Sequence, residues 1–391
     1  MNEEKWDRLL QIRTSGRDDS HADQYRYPYE PTPYCVLERL ADSGYLRKGN
    51  TLLDYGCGKG RVEFFLSWQT RCRSKWRSES RGESMDNSKT VFRSLENAVQ
   101  AAFGESAVIL RSDSIPGGDI NDAYRVTLSG GQKIFVKANR VRNLNFFLTE
   151  AEGLEALGAT RKIKVPEVLG YGIDERRGCS FLAMEYIESA PRTEAYWERF
   201  GHQLAELHRA ECGLFVDPKD AKQKYGFSED NYIGAGPQKN DPSERWIEFY
   251  RECRLLPQIR RAERYLDLSV RRKADRLLDH LDSYLREPEF PSLLHGDLWS
   301  GNMMCGRGGS AWIIDPAAYV GDFEADLAMT QLFGSLPGMF YSAYSEINPI
   351  DREGYPERRK LYDLYHLLNH LNLFGAGYLG SVVEIINRFA G

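Results

Sequence analysis

Long hydrophobic runs are missing from this chain. No uncharged apolar stretch approaches the ~18 residues that a bilayer-spanning helix needs, so none is expected. The start, Met1-Asn2-Glu3-Glu4-Lys5, is charged and lacks the apolar centre of a secretory signal, so a signal peptide is not expected either. Positive charge is not in excess: the net charge of -5 speaks against a nucleic-acid partner. The seven cysteines (35, 57, 72, 179, 212, 253, 305) are scattered and odd in number. They show no metal-ligand spacing, and reduced thiols in a cytoplasm are their simplest account. A Gly-x-x-x-x-Gly-Lys-Ser/Thr phosphate loop, an internal repeat and a low-complexity tract are all absent. What is present is ordinary for a soluble globular chain: 391 residues, 41% hydrophobic and 28% charged, suggesting two or three domains.

One stretch organises the rest. Leu293-Leu294-His295-Gly296-Asp297-Leu298-Trp299-Ser300-Gly301-Asn302 leads from an apolar pair into His-x-Asp and then Asn, and Trp312-Ile313-Ile314-Asp315-Pro316 follows. Phosphoryl transfer from ATP needs a carboxylate to orient the acceptor hydroxyl and take its proton, and an amide and a second carboxylate to hold Mg²⁺ against the phosphates. This assigns Asp297 as the base and Asn302 and Asp315 as the metal ligands. Alone, His-Gly-Asp is a common turn and Asp-Pro a common strand end. Together at this spacing, each after an apolar strand, they point to a kinase.

Upstream residues supply the other half of such a site. A helix is expected from Ser88, with Val91, Leu95, Ala98, Val99, Ala102 and Phe103 on one face and Gly104 closing it. Strands follow at 108–110, 123–126 and 133–137. Between the first two lies Ile115-Pro116-Gly117-Gly118-Asp119-Ile120-Asn121-Asp122, a glycine-rich hairpin turn in which Gly117 and Gly118 suit a lid over phosphates. Lys137 ends the apolar strand Phe135-Val136-Lys137-Ala138, where an ammonium is costly unless it meets an anion. ATP phosphates would supply one, and a glutamate of the next helix, 145–157, would hold the lysine. Glu150 is chosen over Glu152 and Glu155 because Leu154 and Leu157 place it on the inward face. Two more strands are expected at 165–170 and 180–187. The second runs into a hinge where the backbone of Glu185, Tyr186 and Ile187 can pair with adenine, and Met184 either backs that pocket or is plain core. Beyond Pro191 the chain turns helical, His208 reads as structural, 231–238 as a loop, and Asp326 as an anchor for the catalytic loop.

The front of the chain is different. Thr51-Leu52-Leu53-Asp54-Tyr55-Gly56-Cys57-Gly58-Lys59-Gly60-Arg61 is an apolar strand followed by a glycine-rich nucleotide-binding turn. It resembles motif I of class I S-adenosylmethionine-dependent methyltransferases. The second strand such a domain needs, with an acid that grips the ribose, is not evident. Instead 67–89 carries six basic and three acidic residues and hardly any aliphatic ones. The expectation is a truncated methyltransferase-like segment over 1–66, a polar linker over 67–87, and a kinase domain over 88–391 with lobes at 88–187 and 188–391.

These pieces together resemble the fructosamine kinase (ketosamine-3-kinase) family, within the aminoglycoside phosphotransferase and choline kinase-like group. The marks are Gly-Gly-x-Ile-Asn at 117–121, Phe-Val-Lys at 135–137, Thr-Glu-x-x-Gly-Leu-Glu-Ala-Leu at 149–157, Asn-x-Ile-Gly-x-x-Pro-Gln at 231–238, Trp-Ile-Glu-Phe-Tyr at 246–250, His-Gly-Asp-Leu-Trp-Ser-Gly-Asn at 295–302 and Gly-Asp-x-Glu-Ala-Asp-Leu-Ala-Met-Thr-x-Leu-Phe-Gly at 321–334. The resemblance implies an α+β, two-lobed protein-kinase-like fold with a small mixed β-sheet N-lobe and a mainly helical C-lobe. It implies ATP-dependent phosphorylation of a ketosamine sugar hydroxyl, typically the 3-hydroxyl, with release of the amine, and hence glycated amines or proteins as substrates. Trp299 is expected to pack against the sugar. Phe323 stands where many relatives have Arg, and Asp119 where some carry a loop cysteine, so thiol switching there is not expected. The rivals are a kinase for an aminoglycoside or amino alcohol, an S-adenosylmethionine binder acting through residues 1–66, and a pseudokinase, which the filled catalytic positions disfavour. Oligomeric state is not legible.

Overall fold

The computed structural model describes residues 51–55, 73–77, 91–116, 120–216 and 222–390. The chain divides into two compact units, Met1–Thr90 and Val91–Gly391. In the first, β1 (Thr51–Tyr55) pairs in parallel with β2 (Arg73–Arg77), Asp54 opposite Trp76. The stretch expected to be linker therefore contains a strand, which corrects that expectation at 73–77. Its side chains are mostly basic, but strand pairing is made by the backbone and does not require an apolar pattern. The glycine-rich turn of the methyltransferase-like segment lies outside the described residues.

The second unit opens with a six-stranded sheet of order β3-β7-β8-β6-β5-β4, formed by β3 (Val91–Phe92), β4 (Ile109–Ile115), β5 (Asp122–Leu128), β6 (Lys133–Arg140), β7 (Val168–Asp174) and β8 (Cys179–Glu185). Val91 was expected on the apolar face of a helix beginning at Ser88. It pairs instead in parallel with Tyr171, and α1 begins at Leu95 behind a Ser94 cap whose hydroxyl accepts from the Asn97 amide at 3.1 Å. Side chains alternate along β6. Ile134 and Val136 face α1 (Leu95–Phe103), in a core with Ala98, Val99, Val126, Phe181 and Ala183. Phe135 and Lys137 face the other way, toward α2 (Leu144–Ala159), whose Phe147, Ala151 and Leu154 pack on Tyr171, Leu182 and Met184. Met184, 3% exposed, is thus core. Burying a Phe or Leu in this way stabilises by roughly 1.5–3 kcal/mol each.

The rest is mainly helical. α3 (Glu194–His208) is followed by a short hairpin, β9 (Asn231–Ile233) with β10 (Gly236–Gln238), where a loop was expected. Next, α4 (Trp246–Phe249) runs through a π-helical turn, Tyr250–Leu255, into α5 (Leu256–Ala262). α6 spans Leu268–Asp279. Two small ladders follow: β11 (Ser292–Leu294) with β14 (Tyr319–Gly321), and β12 (Met303–Gly306) with β13 (Ser310–Ile313). α7 (Phe323–Leu332), α8 (Gly338–Ile347), α9 (Tyr355–Phe374) and α10 (Leu379–Phe389) close a core around Trp246, Tyr250, Tyr344 and Tyr362. Among the described residues no helix is long and apolar enough to cross a membrane.

Candidate active site

Two loops meet here, each leaving the end of a short strand. The first leaves β11 as His295-Gly296-Asp297. Gly296 has φ +82°, and a Cβ there would lie 2.1 Å from the carbonyl oxygen of Ala317, so the turn requires glycine. The second leaves β13 as Ile314-Asp315-Pro316-Ala317. His295 joins them. Its Nε2 lies 2.8 Å from the carbonyl of Ile314, and its own carbonyl accepts from the amide of Ala317 at 2.9 Å. Its Nδ1 lies 3.3 Å from the amide of Asp297. That geometry requires the Nε2–H tautomer, and burial holds the His295 pKa below the usual value, so the ring is neutral at pH 7.

The Asp297 loop rests on Asp326, a buried carboxylate of α7. It accepts from the amides of His295 and Gly296, both at 2.8 Å, and lies 3.2 Å from His208 Nε2. Burial opposes its charge, but the His208 hydrogen bond and these amides outweigh it and keep its pKa below the usual value. At the loop's far end, Asn302 donates to the carbonyl of Asp297 at 2.8 Å and its Oδ2 at 3.3 Å. Its side-chain oxygen is then the atom it can present to a cation. Arg192, not foreseen from the sequence, donates to the carbonyls of Ser300 (3.1 Å) and Met303 (2.6 Å). Trp299 is 41% exposed, and a Cβ on Gly301 would come within 2.3 Å of its ring, so the indole lies over that glycine.

Among the described residues no cation pairs with the Asp297 carboxylate as Lys137 pairs with Asp315. Burial first, and then the charge of Asp315, push its pKa up to about 7, with Asn302 opposing. Lys137, 6% exposed, reaches both Glu150 Oε1 and Asp315 Oδ1 at 2.7 Å. Burial would lower its pKa, yet the carboxylates of Asp315 and Glu150 outweigh that and hold it above the usual lysine value. Glu150 is pushed up by burial against the pull of Lys137. Asp315 sits at φ +58°, a left-handed conformation that Asp tolerates better than most side chains but that still costs about 1–3 kcal/mol.

The glycine-rich turn is tethered by a residue the sequence did not flag: Asn139 donates to the carbonyl of Ile120 (3.1 Å) and to Asn121 Oδ1 (2.6 Å). Gly117 and Gly118 lie outside the described residues. At the hinge, Glu185 ends β8 and its amide donates to the carbonyl of Glu167 at 2.9 Å. Tyr186 lies under Lys133 Nζ at 5.9 Å, and Ile187 is buried.

The arrangement thus gathers a lysine–glutamate–aspartate trio, an aspartate near neutrality and an amide oxygen. Asp315 and Asn302 offer hard oxygen donors, which suit a divalent ion sharing its sphere with phosphates and water. Residues 91–390 match the family model described as fructosamine kinase. The chain belongs to the fructosamine kinase family. Similar curated members are a probable ketoamine kinase of Synechocystis, 40% identical over 77% of this chain and 98% of that one, and a chloroplastic protein-ribulosamine 3-kinase of Arabidopsis thaliana, 38% identical over 73% and 84%. A solved candidate fructosamine-3-kinase from Thermobifida fusca is 37% identical, with a TM-score of 0.64 over 76% of this chain and 99% of that one. One from Haemophilus somnus is 29% identical, with a TM-score of 0.66 over 76% and 97%. The two-lobed, protein-kinase-like α+β fold expected of the family is the fold found.

Proposed function

We infer that the protein transfers the γ-phosphoryl group of ATP to a sugar hydroxyl of ketosamines, the fructosamine or ribulosamine type. Membership of the fructosamine kinase family over residues 91–390 carries this reading. The meeting of the Asp297 and Asp315 loops at His295, with Lys137 paired to Asp315, supports it. In our reading Asp297 accepts the hydroxyl proton as the acceptor oxygen bonds to the γ-phosphorus and the bond to the ADP oxygen breaks. A carboxyl poised at about pH 7 suits that work. Lys137, held by Glu150, orients the phosphates. Asn302 and Asp315 would hold Mg²⁺, which when bound neutralises phosphate charge. Gly117 and Gly118 would cover the phosphates, the Glu185–Ile187 backbone would meet adenine, and Trp299 would stack on the sugar. The reaction belongs in the cytoplasm, where Cys179, Cys212, Cys253 and Cys305 stay free thiols.

A coupled ADP-release assay on a ketosamine panel, with aminoglycosides and amino alcohols alongside, tests this. Turnover confined to the ketosamines is expected. Turnover only with an aminoglycoside or amino alcohol would replace the acceptor class while leaving the phosphoryl-transfer machinery standing.

A further inference from the structure

The segment 314–318 lies between β13 and β14, where the strand ladders give its carbonyls no partner. It also carries Asp315 in a strained conformation, which persists only where the surroundings over-determine it. Two buried side-chain amides of the β9–β10 hairpin supply that restraint. Asn231 donates to the carbonyl of Ala318 at 2.8 Å, and Gln238 to that of Ala317 at 3.0 Å. Gln238 also donates to Asn231 Oδ1 at 2.8 Å, and its own oxygen accepts from the Tyr365 hydroxyl at 2.6 Å. Asn240 donates to Asn231 Oδ1 at 3.0 Å and accepts from the fully buried Arg254 at 2.8 Å. The guanidinium of Arg254 lies 3.8 Å from the centre of the Tyr319 ring. Every polar atom of the Gln238 amide group is thus committed, one side to the Asp315 segment and the other to α9.

The same hairpin reaches the other lobe. Tyr232 packs on Phe146 with ring centres 4.1 Å apart, and its hydroxyl accepts from Asn145 at 3.2 Å. Both residues lie in the first turn of α2, the helix that carries Glu150. A Cβ on Gly234 would lie 3.2 Å from Leu373 of α9 and 3.5 Å from Ile120, at the end of the glycine-rich turn.

We propose that the Asn231–Gln238 hairpin is an interlobe strap whose Gln238 is a positioning residue for Asp315. Through the Ala317 carbonyl Gln238 sets the backbone that presents the metal-facing carboxylate, and through Tyr232 the same hairpin ties that backbone to the helix holding Glu150. Tyr365 locks the amide in the orientation that donates to Ala317. This rests on Asp315 as a ligand of the nucleotide-bound ion, but not on the identity of the acceptor.

The test is calorimetric titration of ATP, with and without Mg²⁺, into the full chain carrying Gln238→Leu or Tyr365→Phe, with kcat and KM measured alongside. For Gln238→Leu the expected result is about a tenfold loss of ATP affinity in Mg²⁺, no change without metal, and a kcat loss of about tenfold or more at a ketosamine KM within about twofold of wild type. Tyr365→Phe removes one hydroxyl from an otherwise equal ring, and is expected to move the same quantities about two- to threefold. It keeps the test open if Gln238→Leu does not fold. Folded variants that lose melting temperature but keep wild-type Mg²⁺ dependence would overturn the proposal, as would equal losses with and without metal. Because the binding measurement contains no acceptor, failure to phosphorylate ketosamines would leave it standing.

Discussion

The two loops that meet at His295 carry carboxylates in opposite circumstances. Asp315 is paired with Lys137 at 2.7 Å, set in a strained backbone and braced by a hairpin distant in sequence. Asp297 is hydrogen-bonded by Asn302 but has no compensating cation among the described residues, and its pKa rises to about 7. One carboxylate is therefore ion-paired with a lysine, while the other is left near the point where it can gain or lose a proton. Two like groups acquire different tasks from their neighbours rather than from their own chemistry.

Exchanging charge for shape at each position is the strongest way to break that contrast. Asp297→Asn keeps volume and the contact to Asn302 but cannot accept a proton, so turnover should fall about 10²–10⁴-fold while ATP binding persists. Asp315→Asn keeps a side chain that tolerates the left-handed backbone but weakens the metal site, so excess Mg²⁺ should partly restore it. Turnover against Mg²⁺ for both variants decides. Rescue of Asp297→Asn but not Asp315→Asn would reverse the two roles.

A smaller effect tests the pairing on the Asp315 side. Lys137→Ala should cost on the order of a hundredfold in kcat/KM, and Glu150→Ala about tenfold. Because Glu150 acts through Lys137, the double variant should be little worse than Lys137→Ala alone. Strictly additive losses would show that the 2.7 Å contact does not work as a unit.

Smaller still is the pH response on the Asp297 side. With a carboxyl titrating near pH 7, kcat/KM should fall about fivefold from pH 7 to 6, a limb that reports the free enzyme. Stability should move the other way. The folded pKa lies above the ordinary carboxyl value, so the folded state binds the proton more tightly, and the stability it contributes is present at pH 4 and lost as pH rises through about 7. Asp297→Asn should therefore melt higher than wild type at pH 8 and not at pH 4. Equal melting shifts at both values would mean that the charge is not the cause.

The contrast also marks what could be read from the sequence. His295, Asp297, Asn302 and Asp315 lie in two short segments whose spacing is itself the signal, Lys137 follows from the cost of an ammonium at the end of an apolar strand, and Glu150 from helix periodicity. The braces of the Asp315 loop do not. Gln238 reaches Ala317 and Tyr365 across most of the C-lobe, and three-residue strands leave too little alternation to tell a hairpin from a loop. Asn139 and Arg192 act on distant carbonyls, which no local pattern announces. Arg73–Arg77 reads as polar linker because its sequence has no apolar alternation, and Val91 fits a helical face by period while a parallel partner, Tyr171, decides it is strand.

The last and smallest effect concerns residues 1–87, which we propose are dispensable for the kinase reaction. The family match begins at Val91, and the second compact unit begins there too. A cut after residue 87 leaves Val91–Phe92 to pair with Tyr171–Gly172, and leaves Ser94 to cap α1. Turnover should then change by less than about twofold. A cut after residue 94 should behave differently. It removes the edge strand and a cap typically worth about 1 kcal/mol, and it exposes Gly170 and Gly172, whose Cβ positions Phe92 now fills. The expected readout is a lower melting temperature for the shorter chain with kcat close to that of the longer one, since both loops and Lys137 are untouched. Collapse of activity with the first cut would show that the front unit takes part in the reaction. Equal melting temperatures for the two cuts would show that Val91–Phe92 and Ser94 contribute nothing to the sheet.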